Sequence, residues 1–226
     1  MNNKLKKNGF SLTEVLLAVG TLAIGMLFIA GTFLVGIHFS TIATEQTIAA
    51  VTADEAFAKI RIFGVNVDGL STNQQTLFET VVLNPISAGE FAYPSTNTVA
   101  EKQYYWSALC RRVAPDPNRL VQVTVFVCRR VGSGSARPVP VKVDVQKQPI
   151  SNELEITGNE TLINDGYMIV EDGTGNIYRV LQRYADRPKI IQLDRYWLGG
   201  PTGSVWVVPP AGGGRHPCIA VYQTEL

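Results

Sequence analysis

Hydrophobic and polar positions divide this chain into three regimes. From Val15 to Phe39 the residues are dominated by Leu, Ile, Val, Ala, Phe, Met and Gly, and no formally charged side chain appears again until Glu45. A bilayer core of roughly 30 Å needs about 20 apolar residues as helix, and lipid offers backbone groups no partner but one another. The stretch therefore predicts one membrane-spanning helix. From Ser40 to Gly64 charge returns with Glu45, Asp54, Glu55, Lys59 and Arg61, while Ala49, Ala53, Phe57, Ile60 and Phe63 recur at spacings of three and four. That is the stripe of an amphipathic helix. No proline occurs before Pro85, and Gly20, Gly25, Gly31 and Gly36 are the only weak points, so one helix over residues 10–64 is expected. It would be about 80 Å long at about 1.5 Å per residue.

Residues 65–101 break the pattern. They are rich in Ser, Thr and Asn, carry Pro85 and Pro94, and hold one apolar island at Val81-Val82-Leu83, which predicts a connecting loop with at most one short strand. The third regime is β. Gln103–Val113 and Arg119–Val131 flank Ala-Pro-Asp-Pro-Asn, a turn sequence, and predict a hairpin. Val121, Val123, Val125 and Val127 alternate with Gln122, Thr124 and Phe126, as in a half-buried strand. A further run, Val139–Val145, follows a Gly-Ser-Gly-Ser linker at 132–135, and these three strands are expected to form one antiparallel sheet against the helix. Candidate strands then recur at Gly166–Glu171, Asn176–Tyr184, Lys189–Asp194, Ser204–Val208 and Ile219–Gln223. Asp172-Gly173-Thr174-Gly175 is a hairpin turn signal between the first two. Five short strands in so few residues suggest a small barrel or a second sheet.

The apolar run has an unusual start. Lys4, Lys6 and Lys7 precede it, and the next basic residue is Lys59, so the positive-inside rule leaves the N-terminus in the cytoplasm and exports the rest. A cleaved secretory signal has a shorter apolar core, and a plain signal anchor explains the lysines and the run. Neither explains Glu14, a carboxylate at the edge of hydrocarbon that is costly unless neutralised.

Lys-Lys-Asn-Gly-Phe-Ser-Leu-Thr-Glu-Val, residues 6–15, resembles the prepilin signal of type IV pilins and type II secretion pseudopilins. The motif covers about ten residues, and the apolar helix behind it carries the likeness to about residue 64. The resemblance implies cleavage by prepilin peptidase between Gly9 and Phe10, and N-methylation of Phe10. It also implies that Glu14 faces the amino group of Phe10 in an adjacent subunit. That pairing is physically sound, because processing creates an ammonium and a neighbour's carboxylate neutralises it, fixing register. Before assembly, Glu14 has two other options, pairing with the amine of its own chain or being protonated. Many major pilins carry a proline within this helix; this chain does not.

The remaining chemistry is sparse. The chain has 20 basic and 19 acidic side chains, and a leader of residues 1–9 would remove three lysines. This balance argues against a nucleic-acid partner. Arg111-Arg112 and Arg129-Arg130 are echoes of each other, and some competence-type pilins bind DNA, but the hairpin sets Arg112 and Arg130 at opposite ends. Three cysteines, Cys110, Cys128 and Cys218, leave at least one unpaired within the chain. The turn places Cys110 opposite about residue 122, which excludes a direct Cys110–Cys128 cross-strand pair. A bridge from Cys218 to either one, or no bridge, stays open. His38 and His216 are the only histidines, and His216-Pro-Cys218 supplies two metal ligands where a stable zinc site usually needs four. Some pseudopilins bind calcium near the C-terminus, and Glu171, Asp172 and Asn176 could supply oxygens; a turn between strands accounts for them more simply.

The expected fold is α+β: a long N-terminal helix, its first half transmembrane, on an antiparallel sheet, with a second small β-rich region, the lollipop of the pilin family. The expected divisions are a leader at 1–9, a transmembrane and filament-core helix at 10–39, its amphipathic continuation at 40–64, a loop at 65–101, a sheet at 102–148 and a β-rich end at 149–226. The expected function is that of a minor pilin or pseudopilin, without enzymatic activity or cofactor, in the inner membrane and then in a filament. Its partners would be prepilin peptidase, other subunits and the assembly platform of a pilus or secretion machine. The rivals are a signal-anchored binding module that never polymerises and a membrane-tethered enzyme.

Overall fold

The computed structural model describes residues 11–95, 103–113, 120–130, 137–150, 152–210 and 216–226. The expected turn at Ala114–Asn118 and the linker at 132–135 lie outside them. The chain divides at Glu45 into two units. Helix α1 runs from Leu12 to Phe63 without a proline. In the first unit every described residue through Thr44 is exposed, including Leu16, Leu27, Phe28, Phe33 and Phe39. One helix is thus long and apolar enough to cross a membrane.

The second unit, residues 46–226, begins with the amphipathic part of α1. Its buried face is Ala49, Thr52, Ala53, Ala56 and Ile60, with Phe57 and Phe63 half-buried beside it. Three alanines on that face bring the helix backbone close to the sheet beneath. After the helix come β1 (Thr76–Leu77), the single turn α2 (Phe78–Val81) and β2 (Ala92–Tyr93). The segment expected to be a connecting loop with one short strand thus carries two short strands and a helical turn, and its apolar island ends α2 and contributes one isolated bridge, Val65 to Val82. Lys59 ties the helix to this segment, with Glu55 at 2.8 Å, Glu90 at 3.0 Å and the Glu90 carbonyl at 2.8 Å.

The central hairpin is β3 (Tyr104–Arg112) and β4 (Val121–Arg129). Next come β5 (Val141–Lys147), β6 (Glu153–Ile156), β7 (Met168–Glu171), β8 (Ile177–Arg183), β9 (Ile190–Leu193), β10 (Thr202–Val207) and β11 (Cys218–Glu225). The first sheet has the order β1-β3-β4-β11, with β2 also on β3. The other six strands close into a barrel, β10-β5-β6-β9-β8-β7, filled by Val143, Ile156, Ile169, Tyr178, Val205 and neighbours. The α+β expectation holds, and most of the β-rich end forms the barrel.

Three expectations change. The run at Val139–Val145 gives β5, which joins the barrel and not the sheet, while the last strand, β11, returns to pair with β4. Sheet and barrel therefore do not divide at residue 148. Strand β6 was not anticipated. And β4 is not half-buried: Thr124 and Phe126 are as buried as Val123 and Val125. The helix covers one face of the hairpin through Trp106, Ala108, Val123 and Val125, and Leu109, Phe126 and Cys128 on the other face pack with Val170 and Val208. A strand covered on both sides has no reason to alternate in exposure.

Candidate functional site

Of the residues the prepilin-type signal singles out, Gly9 and Phe10 lie outside the described residues. Glu14 sits in the first turn of α1. The carbonyl of Ser11 accepts hydrogen bonds from the amides of Glu14 (3.0 Å) and Val15 (3.2 Å), so Ser11 stands where an N-cap does. Ser11 and Glu14 have the spacing of a capping box, and a carboxylate here also faces the positive end of the helix dipole. Glu14 is exposed, and its carboxylate has no ion pair among the described residues. Among the described residues the site is one-sided: an acidic group in the first turn of an uncovered apolar helix.

Glu171, Asp172 and Asn176 do share one hairpin, between β7 and β8, closed by Glu171–Asn176 and Gly175–Glu171 backbone bonds. Gly175 has φ +78°, and a Cβ there would collide with Gln122 and lie 2.7 Å from Gln75. The positive φ calls for glycine, whereas the glutamine side-chain ends could move aside. The hairpin tip docks on the sheet face opposite the helix. Arg111 donates to the carbonyls of Thr72 and Gly173, each at 3.1 Å, and to Gln122. Gln223 donates to the Gly175 carbonyl at 2.9 Å and to Thr124 at 3.0 Å. Burial pulls the Arg111 guanidinium below its ordinary value, against the opposing pull of Glu171 and Glu225.

Asp172 is buried and engaged. One oxygen accepts from the Gln75 amide (3.1 Å) and Trp206 Nε1 (2.7 Å), and Lys142 Nζ lies 2.6 Å from the other. Glu171 accepts from Thr174 and Asn176. A cation would have to displace an ammonium and two N–H donors from Asp172. Among the described residues no group of three or more His, Cys, Asp or Glu is arranged to hold a metal. What sequence reasoning missed is that Asp172 and Arg111 fasten the barrel to the sheet. The partners, Lys142, Trp206, Gln75 and Gly173, lie 30 or more residues away. No local pattern announces them.

His216 borders a cleft of about 490 Å³ with Asn164, Asp165, Tyr167, Arg183 and Tyr184. The polar groups in it are mostly engaged. Asp165 accepts from the Arg183 amide (2.6 Å), Arg183 donates to Asn164 (3.3 Å), and the Tyr184 hydroxyl donates to Glu153 (2.8 Å). His216 stacks on Tyr167 with ring centroids 3.7 Å apart, and its Nε2 is buried without a hydrogen-bond partner among the described residues. Burial lowers its pKa to about 4, with Arg129 adding to the effect. His38 lies on the apolar stretch of α1, in the first unit.

The imidazole makes stability pH-dependent. Above its ordinary pKa of about 6.5, neither folded nor unfolded chain holds the proton. As pH falls from about 6.5 to about 4, the unfolded chain takes it up first, so stability falls with pH. After discounting for partial exposure, we expect about 2 kcal/mol lost across that window. Urea titrations at stepped pH should show a His216→Phe variant losing less than the parent between pH 6.5 and 5. Parallel losses would assign the dependence to carboxylates.

The two arginine pairs lie at opposite ends of the β3–β4 hairpin, with Arg112 opposite Val121 and Arg129 opposite Tyr104, as the sequence implied. Comparison with known proteins finds no matching family model, no matching curated protein and no matching solved structure.

Proposed function

We propose that this chain is a filament subunit of the pilin and pseudopilin kind, inserted in the inner membrane with its N-terminus cytoplasmic, cut between Gly9 and Phe10, methylated at Phe10 and assembled through α1. The observation that carries the proposal is the uncovered apolar surface of α1 from Leu12 to Ile42, headed by Glu14 directly behind a prepilin-type junction. A lipid bilayer covers such a surface before assembly, and neighbouring copies of the same helix cover it afterwards. Small residues at Gly20, Gly25, Gly31 and Gly36, each facing open space, leave room for close helix approach. The sheet packed on the amphipathic half of the helix suits the pilin architecture, and the barrel, which adds bulk to it, suits a minor subunit that primes, tips or decorates a filament. The role is structural, with prepilin peptidase, other subunits and an assembly platform as partners.

The test is intact-mass analysis of the full chain expressed with and without a prepilin peptidase. Loss of residues 1–9 and gain of one methyl group on Phe10 are expected only with the peptidase. An unprocessed chain in both samples would leave the signal-anchored binding module as the better reading, with the cleft beside Tyr167 and Tyr184 as the first place to look for a ligand.

A further inference from the structure

Cys128 and Cys218 are direct partners in the antiparallel pairing of β4 and β11. The next residue pair toward the strand ends is Arg129 and Pro217, whose amide and carbonyl make a 2.8 Å hydrogen bond. Counting from that bond, Cys128 and Cys218 are the adjoining non-hydrogen-bonded pair, the kind with closely spaced side chains, and the register shifts by one residue just beyond them, between Cys218 and Ala220. Its usual Cα separation of about 4.5 Å falls within the range that a disulfide spans. Both side chains are buried in one cluster with Leu109, Phe126, Val170 and Val208. The neighbouring Cys218 side chain, with burial, raises the Cys128 thiol well above its ordinary pKa, and the Cys218 thiol donates to the Ala220 carbonyl at 3.6 Å.

Cys110 is excluded. It faces the helix side of the same sheet, among Ala53, Trp106 and Val123, and its Cα partner on β4 is Val123. Burial pushes its thiol up to about 12. The sheet itself stands between it and the other two.

We infer that Cys128 and Cys218 form a disulfide that ties β4 to β11 at the point where the chain leaves the sheet for the barrel and where it comes back. In the structure all three thiols are free. Formation removes one hydrogen from each sulfur and joins the two sulfurs. The two electrons and two protons pass to a disulfide co-reactant, which is reduced to two thiols. One thiolate first attacks the co-reactant, giving a mixed disulfide and releasing one thiol; the second thiolate then attacks the protein sulfur of the mixed disulfide and displaces the other thiol. Because both thiols are buried in the folded chain, the step belongs to folding, before β11 is seated. In the cell it rests on the export proposed above, since oxidising compartments sustain disulfides; in a test tube it does not.

The test refolds the full chain from denaturant into detergent with a mixture of reduced and oxidised glutathione. Remaining thiols are then alkylated under denaturing conditions, and the peptides are mapped. The expected product lacks two hydrogens, carries one alkyl group on Cys110, and yields a Cys128–Cys218 linked peptide. A Cys110→Ser variant should form the same bridge. Cys128→Ser should form none, and proteolysis between residues 130 and 217 should then release separate fragments on a non-reducing gel, where the parent's fragments stay joined. Three alkylated cysteines in the refolded parent, or a bridge that includes Cys110, would overturn the inference. Either result leaves the processing test of the prepilin reading untouched, and failure of processing leaves the refolding result untouched.

Discussion

Replacing Glu14 with glutamine is expected to leave membrane insertion and folding intact and to cut filament incorporation by about a hundredfold or more, in line with the ~3–5 kcal/mol cost of leaving a buried charge without its partner. The choice of glutamine matters. Glu14 has two roles open to it, as the third residue of a capping box with Ser11 and as the counter-charge to a processed N-terminus. A carboxylate in the first turn of an exposed helix is worth about 0.3–1 kcal/mol, too little to decide assembly. Glutamine keeps the hydrogen-bonding geometry of the cap and removes only the charge. If the charge is the assembly contact, glutamine and alanine fail alike; if the cap is what matters, glutamine assembles and alanine falters. Subunit counts in sheared filaments, beside membrane levels of the same variants, separate the two. Normal incorporation of the alanine variant would remove Glu14 from the mechanism altogether.

The second large effect is in the layer between helix and sheet. Trp106→Ala is expected to destabilise the second unit by about 4 kcal/mol, in the range for deleting a fully buried large aromatic side chain. Trp106 is 1% exposed, lies 4.7 Å from the Phe91 ring centroid and 6.2 Å from that of Phe78, and donates from Nε1 to the Glu90 carbonyl at 3.0 Å. The same Glu90 receives Lys59, so removing the indole loosens the segment that the helix holds down. Domains of this size are stable by only about 5–15 kcal/mol, so the variant should unfold at much lower urea. Trp197 and Trp206 remain as probes inside the barrel side. Their fluorescence should shift its midpoint together with the circular dichroism signal, because the docked hairpin couples barrel to sheet. A barrel transition that stays in place would mean that the two melt separately.

The parts of this fold that were legible in the sequence are those with a local cause. The unbroken apolar run and the stripe from Ala49 to Phe63 announce α1, because a helix repeats its faces within the segment itself. The central hairpin and the Asp172–Gly175 turn are announced by alternation and turn chemistry. What could not be read was allegiance. Period-two alternation at Val139–Val145 says that one face is buried, not which sheet buries it. Cys218–Glu225 pairs with β4 across some 90 residues, and nothing in either strand names the other. Thr124 looked solvent-facing because it is polar; it is buried because Gln223, brought by that return, donates to its hydroxyl. For the candidate site the division is the same. Glu14 stands out because a charge in an apolar run is a local anomaly, whereas Lys142 beside Asp172 is an ordinary surface lysine until the barrel closes.

The return of β11 to β4 has one more consequence. The chain departs from one strand and comes back on its immediate neighbour, about 5 Å away in a hydrogen-bonded sheet. From the sheet's standpoint the whole barrel is a very long hairpin loop. Loop length costs little once the ends are held, since closure entropy grows only with the logarithm of length. The register of β3 and β4 depends on the two ends of that slot, but a replacement module would also have to cover Leu109, Phe126 and Cys128 as Val170 and Val208 do, so a plain turn would not serve.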